Sequence, residues 1–319
     1  MLCGYGHLSQ YISVVRHSIR TVKTSQKGRY YSLYANDTDI ISGAMAAPST
    51  VARRSDQPRR LEQFVDTLQG RGRYTFLRTE ALAALSTGPE NFKKAAQLLV
   101  RKQHLVSPRR GFYVIVPVEH RAAGAPPATW FIDDLMRGLD APYYVGVLTA
   151  AAHHGASHQA PQEFQVVTTP PRRPIAVGRN RIRFIVKARL ERTSVIEVKT
   201  VTGTMRVSTA EATALDLLRY VEHAGFLSNV ATVLRDLAEA CQPRRLVKAA
   251  EADGELAYAQ RLGFLLDLVG VARLADPLAQ WVETQRPSLV RLNPAQPERA
   301  APRDHRWRLI VNDSVEPDT

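Results

Sequence analysis

The segment from residue 58 to residue 117 carries the pattern that most restricts the fold of this chain. Leu61, Phe64, Val65 and Leu68 recur at the i, i+3, i+4 and i+7 spacing that places apolar side chains on one face of a helix. Two glycines follow shortly after, where a helix can end. The segment is therefore predicted to open with an amphipathic helix that buries one face against elements close in sequence.

Further elements follow at short intervals. Residues 74–76 are predicted to form a short strand and residues 77–85 a second helix. A third helix is predicted over residues 89–103, because a Thr and a Glu at capping-box spacing and a Pro near the first turn mark its start. In residues 105–116, two apolar runs flank a turn that contains two arginines, which is typical of a β-hairpin with a basic tip.

Three helices followed by a basic hairpin is the order of a winged helix-turn-helix, in which the third helix enters the major groove of DNA. The polar side chains of this helix point away from its apolar stripe, so amide and cationic groups can reach base edges. Any amphipathic surface helix has a polar face, but the order of elements and the basic hairpin favour DNA binding. The candidate DNA-contacting residues are Asn91, Lys93, Lys94, Gln97 and Arg101 on the helix and Arg109 and Arg110 on the hairpin.

The positive charge of the chain is concentrated in this N-terminal part. The 319 residues hold 43 Lys and Arg against 30 Asp and Glu, a formal net charge of +13. Residues 1–117 hold 18 basic and 7 acidic residues, whereas residues 201–290 hold 9 and 11. Such an excess at one end indicates an acidic partner, and double-stranded DNA is the first candidate.

The composition excludes several classes of protein. It is 45% hydrophobic and 23% charged, which is the mix of a globular protein. Two cysteines, Cys3 and Cys241, are too few for a disulfide framework or a four-cysteine zinc site, so a reducing compartment is expected. No run reaches the roughly 18 apolar residues that span a bilayer, and the start of the chain lacks the apolar core of a secretory signal. We expect a cytoplasmic protein with no membrane partner.

The second half of the chain has the pattern of a mixed α/β domain. Residues 130–139 and 143–155 are each predicted to form one helix. Helices are also predicted from residue 208 onward. Strands are predicted at residues 164–168, 181–186, 195–199 and 204–207. The predicted fold class is therefore α+β, with an N-terminal winged helix-turn-helix followed by a larger mixed α/β domain that has a helical C-terminal part.

These patterns divide the chain into five stretches. Residues 1–57 show no sustained period, and we expect them to be disordered or an extension upstream of the natural start. The tail holds residues 307–311, which have the pattern of one added strand. The predicted boundaries are 1–57 for the N-terminal extension, 58–117 for the winged helix-turn-helix, 118–128 for a linker, 129–285 for the α/β domain and 286–319 for the C-terminal tail.

A second concentration of basic residues lies in the α/β domain. Residues 172–199 hold nine Lys and Arg against two acidic residues. Alternation along a strand would place Arg179, Arg181 and Arg183 on one face. Such a face could extend a DNA-binding surface, meet an acidic or RNA-bearing partner, or simply be solvated, and the sequence leaves these alternatives open.

No residue is assigned to catalysis, to a metal or to a cofactor. His153 and His154 are adjacent, so on a helix their side chains point about 100° apart and make poor paired ligands. Asp216 and Asp267 lie beside apolar runs and are expected at the boundary of the core. The sequence has no phosphate-binding glycine loop and no zinc-protease or serine-hydrolase motif. We therefore expect a protein that is not an enzyme.

Four segments of the second half occur in a recognisable order. They are YYVGVLTAAAHHG (143–155), RIRFIV (181–186), VSTAEATALDLLRY (207–220) and AQRLGFLLDLVG (259–270). Together with the winged helix before them, they resemble the AbiEi antitoxin family of type IV toxin–antitoxin systems. The resemblance spans residues 58–285 and makes residues 129–285 the antitoxin domain.

The resemblance implies a transcriptional autorepressor that binds inverted repeats in the promoter of its own two-gene operon. It also implies a partner, a nucleotidyltransferase-like AbiEii toxin, which is counteracted directly or functionally. The seven winged-helix residues named above are the implied DNA contacts, and no catalytic residue or cofactor is implied. Two alternatives stay open: an effector-responsive winged-helix regulator without a toxin, and an enzyme acting on nucleic acid or nucleotides in the C-terminal domain.

Overall fold

The computed structural model describes residues 60–156, 161–298 and 300–317. The prediction for residues 1–57 lies outside these residues. Helices and three separate β-sheets follow one another along the described chain, so the predicted α+β class is confirmed. Within these ranges, every helix is too short or too polar to cross a bilayer.

The first six elements form three helices and a small antiparallel sheet. One face of the first helix is buried as its periodicity predicts, and the ring of Phe64 on it meets that of Phe76 edge to face at 5.4 Å. The strand order is β1-β3-β2, so the third strand lies in the middle. The elements are α1 (Leu61–Gly70), β1 (Thr75–Leu77), α2 (Arg78–Leu85), α3 (Pro89–Arg101), β2 (Leu105–Arg109) and β3 (Phe112–Ile115).

A six-stranded mixed sheet forms the centre of the remaining chain. Its strands are β4 (Tyr143–Val145), β5 (Phe164–Thr168), β6 (Ile175–Val177), β7 (Asn180–Val186), β8 (Val195–Lys199) and β9 (Thr204–Ser208). The order across the sheet is β6-β7-β5-β4-β9-β8. The pairs β5–β7 and β4–β9 are parallel, whereas the other three pairs are antiparallel.

The prediction of a single helix over residues 143–155 is wrong. The first three residues form β4, and a separate helix, α5 (Val147–His153), begins after Gly146. All residues of β4 are buried because the strand lies inside the sheet with packed layers on both faces, and a short, wholly apolar run does not distinguish such a strand from a buried helix. Gly146 fits this junction because a Cβ there would lie 2.7 Å from Cγ2 of Val167.

Helices cover the two faces of the sheet. One face packs on α4 (Ile132–Gly138), which is shorter than the helix predicted over residues 130–139. The other face packs on α5 and on α6, whose start is capped by Thr209 through its side-chain oxygen. The helices that follow α5 are α6 (Ala210–Arg219), α7 (Phe226–Ala240), α8 (Pro243–Asp253), α9 (Leu256–Leu268) and α10 (Ala272–Thr284).

The C-terminal tail folds back onto the helices as three short strands, where the sequence predicted one. These are β10 (Val290–Arg291), β11 (Arg303–Asp304) and β12 (Leu309–Ile310), in the order β10-β12-β11. Trp307 is fully buried against Gly263 of α9. The indole Nε1 donates a hydrogen bond to Asp267 at 2.6 Å, and Gln260 donates to the backbone oxygen of Trp307 at 2.9 Å. The tail is therefore part of the helical core.

The small sheet and the six-stranded sheet share a hydrophobic core. Phe112 and Val114 of β3 are buried in the same cluster as residues of α4, β4 and β7. The predicted linker at 118–128 contains a 3-10 helix (Val118–Ala123) and contributes Ala125 and Ala128 to that cluster. Because β3 is covered on both sides, the three-helix part and the central sheet are packed as one body.

Candidate nucleic-acid interface

Helix α3 presents a polar face opposite the side that it buries. Phe92, Ala96 and Leu99 are 1–2% exposed and pack into the small N-terminal core. Lys94 and Arg101 are exposed, and Gln97 lies exposed between them at i, i+3 and i+7 spacing. At about 100° per residue, these three side chains point within about 60° of one another. They therefore form one continuous stripe of two cations and an amide.

The other two predicted contacts on α3 lie on the flanks of this stripe. Asn91 is exposed in the first turn and lines a groove that includes Arg60 of the α1 start. Lys93 is exposed on the opposite flank. Among the described residues, Lys102 just after the helix pairs with Glu62 at 3.6 Å, whereas the cations of α3 itself form no ion pair. Their charge is available to an acidic partner.

The hairpin between β2 and β3 holds its two arginines at a tight turn. Gly111 has the left-handed φ of 83° that closes this turn, and Ser107 Oγ donates a hydrogen bond to the backbone oxygen of Phe112 at 2.9 Å. Arg110 is exposed at the tip. Arg109 is also exposed, and its Nη1 donates to the backbone oxygen of Gly138 at the end of α4 at 3.1 Å. The tip is thus anchored on α4.

The structure does not place Arg179, Arg181 and Arg183 on one strand face. Arg179 lies in the turn between β6 and β7, outside both strands. Arg181 and Arg183 do share a face of β7, but Arg181 donates to the backbone oxygen of Gly178 at 3.1 Å. Arg183 pairs with Glu163 through two hydrogen bonds, and this carboxylate raises the pKa of Arg183. Arg179 lies outside the strand and Arg183 is paired with a carboxylate, so the three arginines do not form the single basic face expected from the sequence.

A buried ionic network joins the end of β7 to two helices. Lys187 Nζ lies 2.9 Å from Oδ1 of Asp216 and 3.3 Å from Oδ1 of Asp253. Tyr144 donates to Asp216 at 2.7 Å, and Arg219 pairs with Asp253 at 2.6 Å. The expectation that Asp216 lies at the core boundary is wrong, because its side chain is 0% exposed. The strand pattern holds a signal for this buried site. Lys187 lies two residues after buried Ile185, so alternation along β7 places it on the buried face, where a cation needs an acidic partner.

This network has the composition of a structural element. Two cations face two carboxylates, and the four side chains are at most 18% exposed. Burial raises the pKa of Asp216, and the neighbouring Lys187 ammonium opposes that rise. Since the groups are paired with each other, they hold β7, α6 and α8 together.

The histidine pair also has a local role. His154 Nε2 lies 2.7 Å from the backbone oxygen of Ser208, and the centroids of the His153 and His154 rings are 5.4 Å apart. Burial and the neighbouring His154 lower the pKa of His153. Across the described ranges, no group of three or more His, Cys, Asp or Glu side chains is arranged to hold a metal ion.

Comparisons with known proteins bear on the second half of the chain and on the fold. No curated protein matches the chain. The crystal structure of the RV2827C protein from Mycobacterium tuberculosis is similar in fold, with a TM-score of 0.58, 16% identity and coverage of 79% of this chain and 92% of that chain. Residues 144–268 match the family model of the AbiEi antitoxin C-terminal domain. This match confirms the resemblance to the AbiEi antitoxin family and supports an antitoxin role in a toxin–antitoxin system.

Proposed function

We propose that this protein is a DNA-binding transcriptional autorepressor and the antitoxin of a bacterial type IV toxin–antitoxin pair. The observation that carries the proposal is the exposed stripe of Lys94, Gln97 and Arg101, which lies on the same packed body as the segment that matches the AbiEi antitoxin C-terminal domain. In this account, the protein acts in the cytoplasm, without a cofactor, on its own promoter and on an AbiEii-like nucleotidyltransferase toxin.

The DNA-binding half of the proposal rests on the first six elements. The order helix, strand, helix, helix, strand, strand supports a winged helix-turn-helix over residues 58–117. Gln97 can bond an adenine edge bidentately, and Arg101 can do so with guanine, whereas Asn91 and Lys93 on the flanks suit bases or phosphates at the edge of the site. Arg109 and Arg110 on the hairpin suit the phosphate backbone or the minor groove.

The antitoxin half rests on the family match and assigns neutralisation to residues 129–285. The proposal is that this domain counteracts the toxin by direct or functional antagonism and not by catalysis. The proposal assigns no catalytic role to the buried ionic network, whose charged groups pair with one another. A downstream gene without nucleotidyltransferase character would instead favour the effector-responsive regulator.

A growth assay tests the antitoxin half. The full chain is co-expressed with the gene downstream of its own, and growth is compared with that of cells expressing the downstream gene alone. We expect rescue by the wild-type chain and by a Lys94→Ala, Arg101→Ala variant, because the stripe on α3 serves DNA and not the toxin. Failure of the wild-type chain to rescue would contradict the antitoxin assignment.

A promoter fusion tests the repressor half in the same cells. A reporter driven by the promoter of this operon should be repressed by the wild-type chain and released by the Lys94→Ala, Arg101→Ala variant. Substitutions are preferable to deletion of residues 1–117. That deletion would remove β3 and expose the buried side chains that pack on Phe112 and Val114. Equal reporter output with and without the wild-type chain would contradict autorepression.

A further inference from the structure

Two basic segments that are far apart in sequence meet at the end of α4. Arg109 of the hairpin tip donates to the backbone oxygen of Gly138 at 3.1 Å. Arg172, in the connection between β5 and β6, donates to the backbone oxygen of the next residue, Leu139, at 3.4 Å. Strands β2 and β6, which lie at the edges of their sheets, are also in contact. The antitoxin domain therefore brings its own arginines to the hairpin tip.

Among the described residues, neither Arg109 nor Arg172 forms an ion pair with a carboxylate. A backbone carbonyl carries no net charge, and each guanidinium has five N–H donors, of which the α4 carbonyl takes one. The Nε of Arg172 is buried without a hydrogen-bond partner. The carboxylates of α4, Asp133 and Asp134, pair with Arg137. Exposed Asp140 follows α4, but among the described residues it forms no ion pair with these arginines.

The arginines adjacent in sequence add to this surface. Arg110 follows Arg109 at the hairpin tip, and Arg173 follows Arg172, and both are exposed. Two guanidiniums are thus anchored on carbonyls of consecutive residues, whose Cα atoms are about 3.8 Å apart, with two further arginines beside them. Anchoring reduces the conformational entropy that these side chains lose when they bind a rigid row of anions.

We propose that Arg172 and Arg173 bind the DNA backbone next to the hairpin, so that the antitoxin domain lengthens the protein's DNA track. This deepens the DNA-binding half of the proposed function and rests on it. Duplex DNA is favoured over a protein partner because these arginines continue the hairpin surface that already suits phosphates. Arg183, whose charge is paired with the carboxylate of Glu163, is not part of this track.

The salt dependence of DNA binding tests the proposal. Fluorescence anisotropy of a labelled duplex of about 30 base pairs from the promoter of this operon is titrated with the full chain at several salt concentrations. Each phosphate contact contributes about 0.9 to the slope of log K against log salt. The Arg172→Ala, Arg173→Ala variant should lower that slope by about 1 to 2 and weaken promoter and random duplex alike. The Arg244→Ala, Arg245→Ala variant, which removes the same charge from an exposed part of α8, should keep the wild-type slope.

The possible outcomes separate this proposal from the one on which it rests. If wild-type and Arg172→Ala, Arg173→Ala proteins share one slope, the added track is refuted while promoter binding stands. If the wild-type chain shows no promoter preference, the proposed function fails first. A variant that keeps the slope but no longer rescues growth would assign the arginines to the toxin and overturn the proposal. Should the double variant not fold, Arg173→Ala alone, an exposed position, should still lower the slope by about 0.9.

Discussion

The contact between Gly263 and Trp307 gives a stability prediction whose sign depends on the packing of the C-terminal tail. Gly263 lies within α9, where replacement by Ala ordinarily stabilises a helix by about 0.5–1 kcal/mol. Here a Cβ would lie 2.0 Å from two ring carbons of Trp307, and that ring is fully buried. The structure therefore predicts that Gly263→Ala destabilises the protein.

The loss in the free energy of unfolding depends on whether the ring of Trp307 stays in its site or is displaced. Overpacking a well-filled site costs about 1–3 kcal/mol. Complete loss of a buried Trp from its site costs about 3–5 kcal/mol. Since the hydrogen bond from Trp307 to Asp267 and the tail strands restrain the ring, we expect a gross cost between these two limits, about 2–4 kcal/mol. The net loss is about 1–3 kcal/mol after the helix gain is subtracted. At about 2–4 °C per kcal/mol for a body of this size, the melting midpoint should fall by roughly 2–12 °C.

Chemical and thermal unfolding of the full chain, followed by circular dichroism and tryptophan fluorescence, measures this effect. Gly70→Ala is the matched control, because Gly70 ends α1 and a Cβ there meets nothing within 4 Å. The control should be neutral or slightly stabilising. The pair Gly263→Ala and Trp307→Leu should be strongly non-additive, since the second change removes the clash. If Gly263→Ala raises stability as Gly70→Ala does, the tail does not pack on α9 as described.

Three further predictions concern other buried or paired groups. Lys187→Met leaves two buried carboxylates without their shared cation, so it should lower the free energy of unfolding by about 3–5 kcal/mol in a urea titration. A decrease below about 1 kcal/mol would contradict a buried network. The hydrogen bond from Arg183 lowers the pKa of Glu163, so the stabilisation from this pair is present above the unfolded pKa of 4.5 and is lost as pH falls through the lower folded value. The pair is about a third exposed, so Glu163→Gln should cost at most about 1 kcal/mol at pH 7 and less as pH falls below 4.5. A cost that grows in acid would reverse the assigned sign. Burial raises the pKa of the Cys241 thiol to about 12, so little reactive thiolate forms in the folded protein at pH 8. Peptide mapping after iodoacetamide treatment at pH 8 should therefore find Cys241 unlabelled in the folded protein and labelled in urea. Rapid labelling of the folded protein would show instead that Cys241 lies at the surface.

Local periodicity was enough to predict much of the N-terminal part. Helix α1 and the polar stripe of α3 follow from spacing alone, because their apolar residues repeat every three or four positions and their neighbours in space are near in sequence. The hairpin followed from two apolar runs around a turn that contains glycine. The hydrogen bond that anchors Arg109 on α4 was not predictable, since its acceptor, the backbone oxygen of Gly138, lies 29 residues away.

The second half depended on contacts that a single sequence does not report. Strand β4 looks like a helix because both of its faces are buried. Asp216 looks like a boundary residue because its partners, Tyr144 and Lys187, come from distant parts of the chain. Arg179 has the spacing of a strand residue, but it lies in the two-residue turn at Gly178 between β6 and β7. For β4 and Asp216, partners distant in sequence outweigh the local pattern, whereas for Arg179 a local turn interrupts the strand.

Promoter binding by the purified full chain is the most direct test of autorepression. Fluorescence anisotropy at about 150 mM salt compares a duplex from the promoter of this operon with a shuffled duplex of equal length. We expect a clear preference for the promoter, and Lys94→Ala or Arg101→Ala should each cost about 1–3 kcal/mol if the residue reads a base. Equal affinity for the two duplexes, unchanged by either substitution, would contradict it.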